Sequence, residues 1–572
     1  MYVQNDTPLG GSLALSAVVA VLPLLVLFVL LGGLRVRAWL ASLIGLAVAL
    51  LVAILAYGMP VGQALLAGTE GAAFGFFPIL WIVINALWIY QMTVASGHFD
   101  VLRRSFGSVS DDQRVQAVII AFAFGALLEA LAGFGTPVAI CTIMLIALRF
   151  SPLKAAVVAL VANTAPVAFG AIAVPITTLA QVTGLPEAEL GAMVGRQTPI
   201  LAVFVPFVLV ALVDGARGLR ETWPVALVGG LVFGLAQYAT SNFLSLPLTD
   251  IVAALLSAGA VVLLVRVRPP RYAAVGSGAD ADTREPVSVG GGGDAGGTGA
   301  GGDGDRPEAP EAPAGSGHDD HSRDSRRDTV LAYMPYVIII ALFGIQQIPA
   351  VSTALKSVTV KFNWPGLDVR TAAGKPVSTV AFNFNWLEAA GTILLIAGIV
   401  TALVLRVRPG DAVAAYGRTL VQLRTAIPTV MAVLALAYVM NDSGQTLTLG
   451  SLLAGTGDFF AVLSPVLGWL GTAVTGSDTS SNSLFGALQV TAAKGAGLDP
   501  ILLAAANSSG GVLGKMISPQ NLAIAASAVA MSGREGEILR RVLLWSLVFL
   551  LGMCVLVYLQ STPVLGWMVV SG

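Results

Sequence analysis

Long apolar runs joined by short polar connections extend through most of the chain. The first two, "LALSAVVAVLPLLVLFVLLGG" (13–33) and "WLASLIGLAVALLVAILAYG" (39–58), have the roughly 20-residue length with which a helix crosses a lipid bilayer. Several later runs are too short or too rich in glycine to cross alone, so the pattern predicts about 12 to 14 transmembrane helices with additional re-entrant segments. These later runs lie at 73–95, 115–132, 137–149, 155–181, 197–213, 223–240, 250–265, 330–348, 386–405, 425–440, 459–475, 482–493, 499–513, 518–531 and 538–561.

One segment, 269–328, interrupts this pattern. Gly, Ala, Asp and Pro dominate it, and it offers almost no apolar surface to bury. A segment of this composition is predicted to be a disordered linker. It divides the chain into a first transmembrane half, 1–268, and a second transmembrane half, 329–572.

The composition supports a membrane protein. Of the 572 residues, 56% are hydrophobic and only 11% are charged, whereas a soluble domain carries about 25% charged residues. The sequence therefore predicts an all-α polytopic membrane protein in contact with the lipid bilayer. The net charge of −1 gives no information on partners. We expect no nucleic-acid partner, no metal and no cofactor.

Arginine pairs indicate the orientation. "LRVR" (34–37), "LLVRVRP" (263–269) and "LVLRVRP" (403–409) each close an apolar run, and the positive-inside bias assigns them to the cytoplasm. The 269–328 linker is then cytoplasmic and the N-terminus lies outside. The segment 349–385 faces outward as well, and its alternating "KSVTVKFNW" and "PVSTVAFNFNW" predict a small strand pair.

Two stretches of the first half have counterparts in the second. "ANTAPVAFGAIAVPITTLA" (162–180) aligns with "ANSSGGVLGKMISPQNLAIAA" (506–526), and in each an asparagine precedes a proline by 12 positions. Upstream, "EALAGFGTPVAI" (129–140) aligns with "TAVTGSDTSSNSL" (472–484). Glycine and proline break helices at these points, and paired broken helices in two halves indicate the central site of a secondary transporter.

Hydroxyl and amide side chains gather at these breaks, where half-helix N-termini favour an anion. For Asn163 and Asn507 the alternative is close helix packing by small polar residues. The polar residues expected to bind substrate are Thr136, Asn163, Thr164, Ser477, Thr479, Ser480, Asn482, Asn507, Ser508, Ser509 and Gln520.

Four ionisable residues lie within or beside apolar runs, where each costs on the order of 3 kcal/mol, namely Glu129, Asp442, Asp478 and Lys515. Lys515, beside the second broken helix, suits a substrate carboxylate; a structural ion pair with Asp478 or a snorkelling side chain are the alternatives. Glu129 is a candidate proton carrier, or else a carboxyl bonded to the nearby hairpin backbone. Asp442 is a further proton candidate that alternatively caps the segment after residues 425–441. Glu70 is interpreted as a loop residue near an interface, with lining of the transport path as the alternative.

Three long motifs resemble those of the L-lactate permease family. They are "ALLEALAGFGTPVAI" (126–140), "GWLGTAVTGSDTSSNSLFGALQ" (468–489) and "NSSGGVLGKMISPQNLAIAA" (507–526), and the similarity extends over nearly the whole chain except the linker. The resemblance implies two inverted repeats, each with a re-entrant hairpin. The motif residues are Glu129, Gly133, Phe134, Gly135, Thr136, Pro137, Gly476, Ser477, Asp478, Thr479, Asn482, Asn507, Lys515, Ser518, Pro519 and Gln520.

The function implied by this resemblance is secondary transport of L-lactate, D-lactate and glycolate with protons across the cytoplasmic membrane. Glu129, Asp478 and Asp442 are the candidate proton carriers, although Asp442 departs from the family pattern. Coupling to sodium is the alternative on the same fold. An intramembrane enzyme is not expected, since GxSxG and HExxH are absent. The oligomeric state stays open, a homodimer included.

Overall fold

The computed structural model describes residues 1–107, 109–110, 112–133, 135–268 and 324–570. Phe134 and most of the predicted linker lie outside these residues. At the end of the linker region the described chain resumes before the first helix of the second half, which begins at Arg326. The boundary predicted at 328 is therefore close to the start of that helix.

Helices make up most of the described chain, which confirms the all-α polytopic class. In this part of the chain, ten helices are long and apolar enough to cross a membrane, or up to eleven if the bent pair Pro152–Ala162 and Val167–Thr183 forms one span. This number is below the 12 to 14 predicted. The runs at 197–213 and 223–240 lie in one helix, and Thr136–Ala147 and Ala390–Val404 are too short to span a membrane alone. The longest, Glu187–Phe243, continues through a break at Asp214 and Gly215.

The first half begins with a short strand and continues with helices, some of them interrupted by wider or tighter turns. Wider π-type turns occupy Val29–Gly33, Gly75–Leu80 and Ala117–Phe124, and 3-10 turns occupy Val167–Phe169 and Leu246–Leu248. The elements are β1 (Tyr2–Val3), α1 (Leu13–Ala20), α2 (Leu22–Phe28), α3 (Ala38–Leu55), α4 (Val61–Phe74), α5 (Trp81–Ala95), α6 (His98–Gly107), α7 (Gln113–Gln116), α8 (Gly125–Ala132), α9 (Thr136–Ala147), α10 (Pro152–Ala162), α11 (Gly170–Thr183), α12 (Glu187–Val194), α13 (Thr198–Phe243) and α14 (Thr249–Val267).

The second half contains three strands among its helices. Short 3-10 turns lie at Ser378–Val380, Gly457–Phe459, Lys515–Ile517 and Gly566–Met568. The elements are α15 (Arg326–Gln346), α16 (Pro349–Lys356), β2 (Val360–Asn363), β3 (Val369–Arg370), β4 (Ala381–Phe384), α17 (Ala390–Val404), α18 (Pro409–Gln422), α19 (Ala426–Ser443), α20 (Gln445–Ala454), α21 (Phe460–Thr475), α22 (Asp478–Ala496), α23 (Pro500–Gly514), α24 (Pro519–Ala528) and α25 (Glu535–Gln560).

The strand pair predicted within 349–385 is present. Strands β2 and β4 pair antiparallel, with Phe362 opposite Phe382. Strand β3 pairs in parallel with β1, so the N-terminal residues pack on the same segment. Elsewhere α6 contacts α15. There Arg104 donates two hydrogen bonds to Asp324, and this ion pair lowers the pKa of the Asp324 carboxyl.

The two halves share an order of elements that matches the repeated sequence motifs. In the first half, α8 and α9 form a hairpin around Gly135, whose φ is +83°, and α10 and α11 are separated by a 3-10 turn. In the second half, α21 and α22 form a hairpin around Gly476, whose φ is +77°, and α23 and α24 are again separated by a 3-10 turn. Glycine fits both hairpin tips because L side chains disfavour positive φ.

Glycines allow α23 to approach α21 closely. A Cβ atom at Gly510 would collide with the carbonyl oxygen of Pro465, and one at Gly514 would collide with that of Trp469. Both obstacles are backbone atoms, which cannot rotate away. The glycines of the "NSSGGVLGK" stretch therefore serve helix packing as well as the break that follows.

Candidate functional site

Lys515 is the centre of the site. It is the first residue of the 3-10 turn after α23, and it is only 6% exposed. Its Nζ donates to Glu129 Oε1 at 2.5 Å and to the Gly133 carbonyl oxygen at 3.2 Å. The lysine is thus paired with Glu129 of the first half, and the alternative of an ion pair with Asp478 is wrong. This contact joins the two broken regions.

The Glu129 side chain is buried and has close neighbours in several elements. It lies in α8, is 2% exposed, and its Oε2 accepts from Asn163 Nδ2 at 2.9 Å. A Cβ atom at Gly133 would lie 2.8 Å from Glu129 Oε1, and one at Gly170 would lie 2.9 Å from it. Both glycines therefore make room for the carboxylate. The carboxylate thus accepts hydrogen bonds from a cation and from an amide.

Both hairpin tips converge on α24. A Cβ atom at Gly135 would collide with Ile524, and one at Gly476 would lie 2.5 Å from Gln520 Oε1. Gln520 is exposed, and Ser477 and Thr479 are half-buried. A partly open polar rim thus lies beside the buried pair of Lys515 and Glu129.

Asp478 begins α22 and is held by hydroxyl and amide donors. Its Oδ2 accepts from Ser508 Oγ at 2.6 Å and from Asn482 Nδ2 at 3.5 Å, and its Oδ1 accepts from Thr472 Oγ1 at 3.5 Å. The preceding Ser477 caps the helix by accepting from the backbone N–H of Ser480. The partial positive charge of the helix N-terminus also stabilises this carboxylate.

A chain of amides connects the second hairpin to the rest of the molecule. Asn507 Nδ2 donates to Asn482 Oδ1 at 2.9 Å, and Gln489 Nε2 donates to Asn507 Oδ1 at 2.9 Å. Asn482 Nδ2 donates in turn to the Pro175 carbonyl oxygen of α11 at 3.0 Å. Asn163 and Asn507 therefore take part in buried polar networks rather than in packing alone.

Several predicted residues lie near the site but direct their side chains elsewhere. The Thr164 hydroxyl donates to the Val161 carbonyl oxygen of the preceding helix α10 at 2.6 Å. Ser509 donates to Gln197 at 2.7 Å, and Ser518 caps α24 by accepting from the backbone N–H of Asn521. Thr136 and Ser480 are buried at the first turns of α9 and α22.

Asp442 is separate from this group. It lies within α19 and accepts a short hydrogen bond from the Thr379 hydroxyl, so the interpretation as a helix cap is wrong. Glu70 lies in α4, 1% exposed, and not in a loop as predicted. Neither Glu70 carboxyl oxygen has a hydrogen-bond partner among the described residues. Asp442 lies close enough to interact electrostatically with Glu70.

Sequence reasoning missed Asp250 and Gln237. Asp250 lies at the start of α14, and its Oδ1 accepts from Gln237 Nε2 at 3.1 Å. The available signal was an acidic residue at the head of the apolar run "LPLTDIVAALLSAGAVVLLV". Within the described ranges, no group of three or more His, Cys, Asp or Glu residues is arranged to hold a metal ion.

Membrane-length helices around two broken, polar segments define a multi-pass membrane transporter. The model of the L-lactate permease family matches residues 16–564, and the chain belongs to this family. It is 39% identical to the L-lactate permease of Bacillus subtilis (strain 168) over 99% of this chain and 100% of that protein. It is 41% identical to the glycolate permease GlcA of Escherichia coli (strain K12) over 99% of each chain. The L-lactate permease of the same E. coli strain is 39% identical over 100% of both. These relatives are named as permeases, not as enzymes.

Proposed function

We propose that the protein carries L-lactate, and the related 2-hydroxy monocarboxylates D-lactate and glycolate, across the cytoplasmic membrane together with protons. Family membership and the names of the relatives support the substrate class. The observation that carries the proposal is the buried Lys515, which lies where the two broken regions meet. If Lys515 exchanges the Glu129 carboxylate for that of a substrate, its buried charge binds a small carboxylate.

In this proposal the substrate carboxylate takes the position beside Lys515. The backbone N–H groups at the start of α9, near Gly135 and Thr136, add partial positive charge. Gly133 orients Lys515 through its carbonyl oxygen. Hydroxyl and amide side chains near the second tip receive the 2-hydroxyl group and complete the site. These are Asn163, Thr164, Ser477, Thr479, Ser480, Asn482, Asn507, Ser508, Ser509, Ser518 and Gln520.

Proton coupling follows from the charge balance of the site. When a monoanion reaches Lys515, the site would hold two anions and one cation, which is costly inside the membrane. Protonation of Glu129 restores neutrality and frees Lys515 for the substrate. One proton then moves with one monoanion, and transport is electroneutral. Asp478 and Asp442 stay predicted proton carriers on the basis of their burial.

We propose further that the hairpins enter from opposite membrane faces. The open end of the first hairpin lies where Gln113 donates to the Arg149 carbonyl oxygen at 3.0 Å. The chain enters this end from α6, which contacts α15, the first helix after the linker. The second hairpin packs beside α20. The Thr448 hydroxyl of α20 lies 2.7 Å from the Tyr57 hydroxyl and donates to the Asp6 carbonyl oxygen, so α20 lies near the N-terminal residues. Inverted repeats of this kind support alternating access. The arginine pattern assigns the linker to the cytoplasm and the N-terminus to the outside.

Uptake of labelled L-lactate into proteoliposomes tests the proposal. It is measured with an inward pH gradient, with a sodium gradient, and with neither. Accumulation under the pH gradient alone is the expected result. Accumulation only with sodium would refute proton coupling while leaving the carboxylate site intact. An absence of uptake for lactate and glycolate under every gradient would contradict the substrate class.

A further inference from the structure

Asp250 is a buried carboxyl group that the proposed transport step does not yet use. It is 1% exposed and lies in the membrane-length segment Leu246–Val267. Its Oδ1 accepts from the Gln237 amide at 3.1 Å. Its Oδ2 has no hydrogen-bond partner among the described residues. One half of this carboxyl group is therefore unsatisfied in its present surroundings.

The charges around Asp250 do not compensate an anion. Among the described residues, the fields of Glu129 and Lys515 reach it, but no cation lies within ion-pair distance, and Lys515 already contacts Glu129 at 2.5 Å. Helix α14 packs on α8, on the Ala117–Phe124 turn, on α11 and on α13. Of these, α8 contributes only Glu129, while the turn and α11 contribute no charge. The charged residues of α13 are those at its bend, namely Asp214, Arg217, Arg220 and Glu221.

This imbalance favours a protonated Asp250. The first turn of α14 offers Asp250 the partial positive charge of a helix N-terminus but no full cation. A carboxylate buried without a full countercharge is far more costly than the neutral acid, so the group binds a proton instead. Glu129 lies in the same region but has a lysine and an amide donor as partners. The two acids thus differ in the charged partners that their surroundings supply.

Two amide side chains and a short stretch of backbone in the first broken helix link the two acids. The Gln237 amide that donates to Asp250 also donates to the Ala165 carbonyl oxygen at 3.2 Å. Ala165 lies two positions after Asn163, whose amide donates to Glu129 at 2.9 Å. A shift of this break on substrate binding would reach both carboxyl groups together.

We propose that Asp250 holds the proton that is transported with the substrate, and that it passes this proton to Glu129. The proton leaves Asp250 Oδ2 and binds a Glu129 carboxylate oxygen as the substrate carboxylate takes Lys515. Glu129 releases this proton on the inner side together with the substrate and pairs again with Lys515. Asp250 takes a new proton from water on the outer side, so one proton enters with each monoanion. This inference rests on the proposed proton-coupled transport.

The test compares Asp250→Asn, Asp250→Glu and wild type in proteoliposomes. Asp250→Asn keeps an acceptor for Gln237 but has no proton to release, so accumulation driven by the pH gradient should fall by roughly 100-fold. Exchange of labelled for unlabelled lactate needs no net proton movement and should fall much less. Asp250→Glu should restore part of the accumulation. Thr240→Val, a change one turn from Gln237, is the matched control and should accumulate lactate like wild type.

The outcomes separate this inference from the proposed function. If wild type accumulates lactate under a pH gradient and Asp250→Asn does so to the same level with the same proton-to-lactate ratio, the role of Asp250 is refuted. If wild type itself shows no such accumulation, the proposed coupling fails.

A second measurement on wild-type protein does not depend on how the variants fold. Dicyclohexylcarbodiimide reacts with protonated carboxyls in apolar surroundings, and mass spectrometry locates the product. We expect a label on Asp250 at acidic pH that declines at alkaline pH. Labelling of other buried carboxyls with none at Asp250 would overturn the proposal.

Discussion

The pair of Lys515 and Glu129 shows how single residues set the chemistry of the site. Either charge alone would be very costly at this depth, but together, with Asn163 and the Gly133 carbonyl oxygen as further partners, they are compensated. Such a pair is stable only while both charges are present or while another anion takes the place of the Glu129 carboxylate. This property makes it suitable for binding a carboxylate.

Replacing Lys515 tests the pair directly. Lys515→Gln keeps a hydrogen-bond donor toward Glu129 but removes the positive charge, and Glu129 avoids an uncompensated buried charge by taking up a proton. Lactate uptake should therefore be abolished while the amount of protein in the membrane is retained. Uptake and immunoblots of membranes measure the two quantities. Lys494→Gln, which changes an exposed lysine in the last turn of α22, should transport like wild type. Uptake by Lys515→Gln with an unchanged KM would show that Lys515 does not bind substrate.

The narrow space around Glu129 depends on single residues such as Gly170. In Gly170→Ala the new Cβ would lie 2.9 Å from Glu129 Oε1, which forces the carboxylate to move at a cost of about 1 to 3 kcal/mol. We expect slower lactate uptake and a lower thermal unfolding temperature in detergent. Gly259→Ala introduces a Cβ with no atom within 4 Å and serves as the control. Equal behaviour of both variants would argue against a tight Glu129 pocket.

At the scale of elements, the repeat places polar turns where helices break. Each half has a hairpin with a left-handed glycine at its tip and a helix interrupted by a 3-10 turn. The sequence predicted these elements because glycine, proline and small polar residues recur in the same order. It did not predict which side chains meet: Lys515 and Glu129 are 386 positions apart, and Asp250 lies outside both motifs. Contacts of this kind depend on how the helices pack, which local periodicity does not encode.

Close packing of α23 on α21 leads to a prediction for these elements. Gly510→Val would place a branched side chain against the Pro465 carbonyl oxygen, a backbone atom that can move only with its helix. We expect a large loss of folded protein, measured as the monodisperse fraction in size-exclusion chromatography. Gly552→Ala in α25, where the nearest atom would be the side chain of Leu201 at 3.6 Å, should fold normally. A well-folded Gly510→Val protein would contradict the close approach of these helices.

At the scale of the whole molecule, Arg114 connects the first hairpin to the long helix α13. It is fully buried, and it pairs with Asp112 at 2.7 Å, with Glu221 at 2.6 Å and with Asp214 at 3.1 Å. Asp214 lies at the break inside α13, so the ion pairs hold this bend against the start of the hairpin. The cluster fixes one end of the region that carries Glu129, and no sequence motif indicated it.

Removing Arg114 should therefore destabilise the molecule as a whole. Arg114→Met keeps much of the side-chain volume but leaves three carboxylates without their shared cation, and the loss of one member of a buried ion pair costs about 3 to 5 kcal/mol. We expect a clearly lower thermal unfolding temperature for the purified protein. Arg217→Gln is the matched control: Arg217 also pairs with Glu221, at 3.0 Å, but its side chain is 59% exposed, and exposed pairs contribute little. If both variants unfold at the same temperature as wild type, the Arg114 cluster does not hold the hairpin to α13, and the position of Glu129 must depend on the packing of α8 alone.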